Sequence, residues 1–166
     1  AAHALPSTYK GKLIGSSKRT TTVFSFYANK TMTTGEGGMV TTFSEEIAKN
    51  IKIYRTHGIS RDAFSRYISK KPSWYYEIIA PGYKYNLTDI AAAIGKVQLK
   101  KLLKMHEKRN LIAKKYDQVL AGMPVILPPR MKNEIHSWHL YIIRLEPSIV
   151  KYRDQIIEKL FEEGIA

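Results

Sequence analysis

The chain has 166 residues, 44% hydrophobic and 25% charged, with 27 Lys and Arg against 14 Asp and Glu and a formal net charge of +13. That length buries about one core, the composition is that of a globular protein and not of a disordered tail, and no apolar run is long enough to span a bilayer. The absence of cysteine excludes a disulfide framework and is compatible with a reducing cytoplasm; the N-terminus has no apolar segment of a secretory signal.

Residues 1 to 43 read as β-rich with tight turns. Val23 to Phe26 and Gly38 to Thr42 are predicted strands, with a hydroxyl- and glycine-rich turn between them. Ser44 is a predicted N-cap, followed by Glu45 and Glu46 at the positive end of a helix dipole. Ile47, Ile51 and Tyr54 fall on one face of that helix, and Gly58 is its stop. Residues 59 to 85 form a long connection rich in aromatics (Phe64, Tyr67, Trp74, Tyr75, Tyr76, Tyr83, Tyr85), read as a packed or interface-forming segment.

Asn86 or Thr88 caps the next helix, the longest element, which runs to about Leu120. Its predicted apolar stripe is Ile90, Ile94, Val97, Leu102, Ile112, Tyr116 and Val119. Gly122 and Pro124 end it. VILPPR at 125 to 130 opens a new unit, His139 to Leu145 reads as a strand, and Ile149 to Glu163 as an amphipathic helix with Gly164 after it.

The basic excess suits a nucleic-acid binder or a protein acting on anionic small molecules. Between Lys96 and Tyr116 stand seven lysines and one arginine against Glu107 alone. The spacing of Lys100, Lys104, Lys108 and Lys115 suits a solvated helix face. No zinc-finger spacing, helix-turn-helix signal or RNA-binding aromatic motif accompanies it, and no His/Cys/Asp/Glu spacing suggests a metal site.

Lys30 is the most informative residue. It lies in TTVFSFYANKTMTTGEGGMVTT, between two β-rich stretches. An ordinary surface lysine is protonated and a poor nucleophile; desolvation or a neighbouring cation frees the amine to form a Schiff base with an aldehyde. Ser25 could offer a hydroxyl to a phosphate group, with Thr31, Thr33 and Thr34 as further donors.

AAHAL at the start, IGS at 14 to 16, FSFYANK at 24 to 30, TTGEGGMV at 33 to 40, RTHG at 55 to 58, GYKYNLTDIAAAIGKVQL at 82 to 99 and HSWHLYIIRL at 136 to 145 carry a family resemblance. In order and spacing the chain resembles the DegT/DnrJ/EryC1/StrS family, pyridoxal-phosphate-dependent aminotransferases that mostly act on nucleotide-linked keto-sugars. The resemblance implies an α/β chain of the type I aminotransferase fold, like aspartate aminotransferase. Residues 1–88 would be the second half of the large cofactor-binding domain, 89–122 the interdomain helix and 123–166 the start of a small C-terminal α+β domain.

It further implies that Lys30 holds pyridoxal phosphate covalently and shuttles the proton in transamination. Ser25 would bind the cofactor's phosphate, and His3 would stand beside its ring. Lys84, where the family usually has Asn, would reach the phosphate of the partner subunit's cofactor in a homodimer with shared active sites. The donor implied is an amino acid, usually glutamate, and the acceptor a nucleotide-linked keto-sugar, in a cytoplasmic enzyme of amino-sugar biosynthesis that takes neither nucleic acid nor membrane as partner. Glu36 is read as structural or interfacial, and His57 as a helix-end cap with a substrate contact as the alternative. His136, Trp138 and His139 resemble a segment near the sugar pocket.

Pro6 departs from the family's usual Gly, and Lys18-Arg19 from its Gly-Asp turn. Members are roughly twice this length, and the aspartate that pairs with the cofactor's pyridinium nitrogen normally stands immediately before Ala-Ala-His. The piece by itself is therefore expected to be inactive. The rival readings are a relative that uses the same fold for dehydration, with histidine in place of the lysine, a regulatory homologue that binds the cofactor without catalysis, and a basic nucleic-acid-binding module.

Overall fold

A computed structural model describes residues 1–60 and 76–165. Phe64, Tyr67, Trp74 and Tyr75 of the aromatic connection lie outside these residues. The chain is mixed α/β, with three two-stranded antiparallel sheets and three α-helices among the described residues.

Strands β1 (Thr8–Tyr9) and β2 (Lys12–Leu13) form a tight hairpin. Its two central residues, Lys10 and Gly11, both have positive φ (48° and 72°), the backbone twist that a two-residue hairpin requires. Strand β3 (Thr22–Ser25) pairs with β4 (Gly38–Thr41), Thr22 opposite Thr41 and Ser25 opposite Gly38. Both strands stand where the alternation of β-branched and apolar residues predicts them. The inward side chains of this region, Phe24, Phe26 and Met32, meet Leu102 of the long helix in the hydrophobic core.

Helix α1 (Glu45–Tyr54) starts as predicted: Ser44 Oγ accepts from Ile47 N. Its predicted apolar face is only partly covered, since Ile47 and Tyr54 are exposed and Ile51 is half-buried. The helix ends at Tyr54, before Gly58. His57 (φ 58°) and Gly58 (φ 71°) turn the chain left-handed, and Gly58 N donates back to Ile53 O at 3.0 Å. His57 does not cap the helix: its N–H goes to Tyr83 O at 2.9 Å. Here the chain crosses its own return limb, where a Cβ on Gly58 would overlap the Ala80 carbonyl, so only glycine fits.

Helix α2 (Asp89–Val119) has 31 residues, about 46 Å at 1.5 Å per residue. Thr88 is its cap, its hydroxyl accepting from Ala91 N at 3.2 Å. The predicted apolar stripe is corrected. Ile90, Ile94, Val97, Ile112, Tyr116 and Val119 are all exposed. The covered face runs through Gly95, Gln98, Leu102, His106, Arg109, Ala113, Asp117 and Leu120, still at helical spacing. Tertiary contacts chose this face: Gly95 passes Thr34 so closely that a Cβ would stand 3.0 Å from Thr34 Cγ2, while polar residues further along reach the 136–141 segment. Lys96, Lys100, Lys101, Lys104, Lys108, Lys114 and Lys115 are exposed, as a solvated face predicts, whereas Arg109 turns inward.

Strand β5 (Val125–Ile126) pairs with β6 (Arg144–Leu145). The predicted strand over 139–145 is thus reduced to its last two residues, which alone pair with β5. A 3₁₀ turn (Val150–Tyr152) leads into α3 (Arg153–Glu162), and Gly164 follows with φ 77°. No described helix is long and apolar enough to cross a membrane.

Candidate active site

Lys30 sits in the turn that joins β3 to β4, and that turn is fixed by its own hydroxyls. Phe26 N donates to Gly37 O (2.8 Å), and Phe26 O accepts from both Thr34 N (2.9 Å) and Thr33 Oγ1 (3.2 Å). Thr34 Oγ1 donates to Glu36 O at 2.6 Å, and Thr33 Oγ1 accepts from Gly35 N at 2.9 Å. Lys30 N closes an inner turn onto Tyr27 O at 3.0 Å. Thr31, Met32 and Thr34 are buried beneath it. Thr33 and Thr34, read from sequence as phosphate donors, spend their hydroxyls on this framework instead. A rigid backbone on both sides lowers the entropy that Lys30 would lose on engaging a ligand.

Lys30 is half-buried as a residue, and its amine lies 2.8 Å from His3 Nε2 on the exposed side of the turn. An imidazole nitrogen at that distance accepts a proton from an ammonium or donates to a free amine, so the pair can hold or pass a proton. Ser25 is half-buried at the end of β3; its Oγ accepts from Tyr27 N at 3.4 Å, which leaves its O–H free to donate. Lys84 is exposed, and its backbone bridges to Thr56. Its side chain joins neither Lys30 nor His3 in any hydrogen bond or ion pair among the described residues. Tyr83 and Tyr85 beside it stack in parallel with centroids 5.1 Å apart.

A second group reaches His3 from the far end of the chain. Ser137, buried, donates from Oγ to His3 O at 2.6 Å. The His139 ring lies 4.2 Å from the His3 ring, and its Nδ1 is buried without a hydrogen-bond partner. Burial, reinforced by His3, Lys30 and Arg109, holds the His139 pKa below its ordinary value. Its lowered pKa and orphaned nitrogen both favour the neutral ring. Between these two residues Trp138 has a φ of 48°, a left-handed conformation that costs a bulky residue about 1–3 kcal/mol.

That turn is held from α2. Arg109 donates to Trp138 O at 3.0 Å, and His106 Nε2 lies 2.9 Å from His136 O. The His136 ring accepts from Trp138 N at 3.0 Å. Arg130 lies over the Trp138 ring, 4.6 Å from its centroid, and pairs with Asp117. Tyr141 donates to the other Asp117 oxygen at 2.7 Å. Burial and this hydrogen bond push the Tyr141 pKa up to about 12. Burial, then Arg130 and His106, hold His136 below its ordinary value. A cleft of about 850 Å³ opens beside these residues, with His3, Ser137, His139 and Arg144 on its wall.

The sequence assigned Lys30, Ser25 and His3 to a cofactor; the structure brings Lys30 against His3, while Ser25 contacts Tyr27 N. Sequence reasoning did not find Ser137, Asp117, Arg130 or Tyr141. HSWHLYIIRL contains two of them as motif letters, but no local pattern shows that Ser137 meets a residue 134 positions away. Among the described residues no group of His, Cys, Asp and Glu is arranged to hold a metal ion.

The DegT/DnrJ/EryC1/StrS aminotransferase family model matches residues 1–166. The chain belongs to that family. A protein of Methanocaldococcus jannaschii with no assigned role is 53% identical over 99% of the chain and 43% of its own length. The spore coat polysaccharide biosynthesis protein SpsC of Bacillus subtilis is 45% identical over 88% of the chain and 37% of its own length.

Among solved structures, a Streptococcus pneumoniae protein described as a sugar aminotransferase, in its PMP form, superposes with a TM-score of 0.88. It is 38% identical, over 100% of this chain and 43% of that one, and its PLP form matches with a TM-score of 0.86. Helicobacter pylori PseC, an aminotransferase of pseudoaminic acid biosynthesis, gives 0.84 at 32% identity, over 99% of this chain and 42% of that one. The chain thus spans less than half the length of the relatives it matches. The fold is the type I fold of pyridoxal-phosphate-dependent enzymes, and pyridoxal phosphate is the cofactor of the family.

Proposed function

We propose that the full protein is a sugar aminotransferase that moves an amino group from an amino acid, glutamate, to a nucleotide-linked keto-sugar. Its setting is amino-sugar biosynthesis for polysaccharides, in the cytoplasm. The observation that carries this reading is the Lys30 amine 2.8 Å from His3 Nε2. A half-buried lysine beside a proton acceptor is what covalent capture of an aldehyde requires. When bound, pyridoxal phosphate supplies that aldehyde and an electron-withdrawing ring.

The residues fit it. Lys30 Nζ would hold the aldehyde carbon and, when released, would carry the proton of transamination. His3, 2.8 Å from Nζ, would exchange a proton with it beside the ring. Ser25 would donate its O–H to the phosphate. Lys84, exposed, would serve a partner subunit's phosphate in a homodimer with shared sites. Residues 1–88 then form the second half of the large domain, 89–122 the bridging helix and 123–166 the start of the small domain.

Lys30 itself disfavours a dehydrating relative with histidine there. The test incubates the intact protein with pyridoxal phosphate, glutamate and a nucleotide-linked keto-sugar. Amino-sugar and 2-oxoglutarate in equal amounts are expected. Cofactor binding without either product would leave the regulatory reading in its place.

A further inference from the structure

Helix α2 meets the Lys30 turn from below through Leu102 and Gly95, and it reaches His3 through the left-handed Trp138 turn, each step of which is a defined contact. Asp117 on α2 holds Arg130 with one oxygen and Tyr141 with the other. Arg130 and the Tyr141 ring, at 4.6 and 5.8 Å from the indole, pack on Trp138. Arg109 and His136 take the Trp138 carbonyl and N–H. A bulky residue in this conformation persists only where its surroundings over-determine it. The residues on either side then act on one target: Ser137 bonds the His3 carbonyl, and His139 backs the His3 ring. The His139 Nδ1 is buried without a partner among the described residues, and its ring meets His3 at a 33° tilt, so no hydrogen bond at that nitrogen orients it.

We propose that Trp138, clamped by Asp117, Arg130 and Tyr141, is a positioning residue that holds His3 against Lys30 through Ser137 and His139. The inference rests on the reading of Lys30 as the cofactor lysine. It assigns helix α2 a role beyond joining two parts of the chain. The helix carries the carboxylate that sets the geometry of the proton-exchanging pair, so a change at Asp117 reaches Lys30 without touching the cofactor.

The experiment is a double-mutant cycle on the intact holoenzyme. Asp117→Asn breaks the clamp at its far end, and Ser137→Ala deletes the last hydroxyl. Each is made with His3 present and in a His3→Ala background. The readouts are the Kd for pyridoxal phosphate and the visible circular dichroism of the lysine-bound cofactor. With His3 present, each variant is expected to raise the Kd by about tenfold, the scale of coupling in a shared network, and to reduce the dichroic band.

In the His3→Ala background neither should change anything further. Equal effects in the two backgrounds, or none with His3 present, would overturn the proposal. Should Asp117→Asn fail to fold, the single-hydroxyl Ser137→Ala variant carries the same test. If the unmutated protein shows no lysine-bound band at all, the cofactor reading falls and takes this inference with it. A band present but indifferent to both variants removes the positioning role alone.

Discussion

His3 is gripped at both ends of its backbone–ring unit: its Nε2 lies 2.8 Å from Lys30 Nζ, while its carbonyl accepts from Ser137 Oγ at 2.6 Å. The imidazole is therefore not a loose surface group although it is exposed. It joins the β3–β4 turn to the 136–141 segment. Replacing Lys30 by Ala or Arg should leave fold and solubility unchanged and abolish transamination, because neither replacement supplies an amine that forms a Schiff base. Turnover by either variant would remove Lys30 from its role.

Ser25 should govern cofactor affinity more than turnover. A hydrogen bond to a charged group contributes roughly 1.5–3 kcal/mol. Ser25→Ala is accordingly expected to raise the Kd for pyridoxal phosphate by about 10- to 100-fold, measured by equilibrium dialysis. An unchanged Kd would show that the phosphate sits elsewhere.

His136 and His139 make acid stability testable. Both have folded pKa values below the ordinary 6.5, His136 through burial, Arg130 and His106, and His139 through burial, His3, Lys30 and Arg109. Below pH 6.5 the unfolded chain binds protons that the folded chain refuses, so stability falls as pH drops through 6.5 toward the folded values and levels off beneath them. Above 6.5 both states are neutral at these sites and the contribution is flat. Urea unfolding of the intact protein between pH 8 and pH 5 should show that slope, and His136→Gln with His139→Gln should reduce it. A slope unchanged by the double substitution would assign the effect to other groups.

The core joins Phe24, Phe26 and Met32 to Leu102, which is 5% exposed. Leu102→Ala should cost about 2–5 kcal/mol, the range for a buried leucine. Ser44→Ala, which removes only the α1 cap, should cost about 1 kcal/mol. Denaturant titration separates the two, and equal losses would contradict the packing described.

What was legible in the sequence was local. The cap at Ser44, the strands either side of Lys30 and the span of α2 follow from residues within a few positions of each other, where propensity and side-chain chemistry act directly. The covered face of α2 was not legible. Its most apolar residues, Ile90 at 78% exposed among them, face outward in this chain, while His106, Arg109 and Asp117 turn inward to partners 13 to 30 positions away. The strand expected at 139–145 failed for a similar reason. Its residues suit extended structure, but only Arg144 and Leu145 pair with β5. The family resemblance set Lys30 and His3 at one cofactor, but that the two side chains touch directly is a property of the fold.

Covalent capture of pyridoxal phosphate by Lys30 underlies the proposed function. The direct measurement adds the cofactor to the intact protein, records the visible spectrum, reduces with borohydride and maps the modified peptide. A yellow band that bleaches on reduction is expected, with the label on the peptide bearing Lys30. No band, or a label scattered over the exposed lysines of α2, would contradict capture by Lys30.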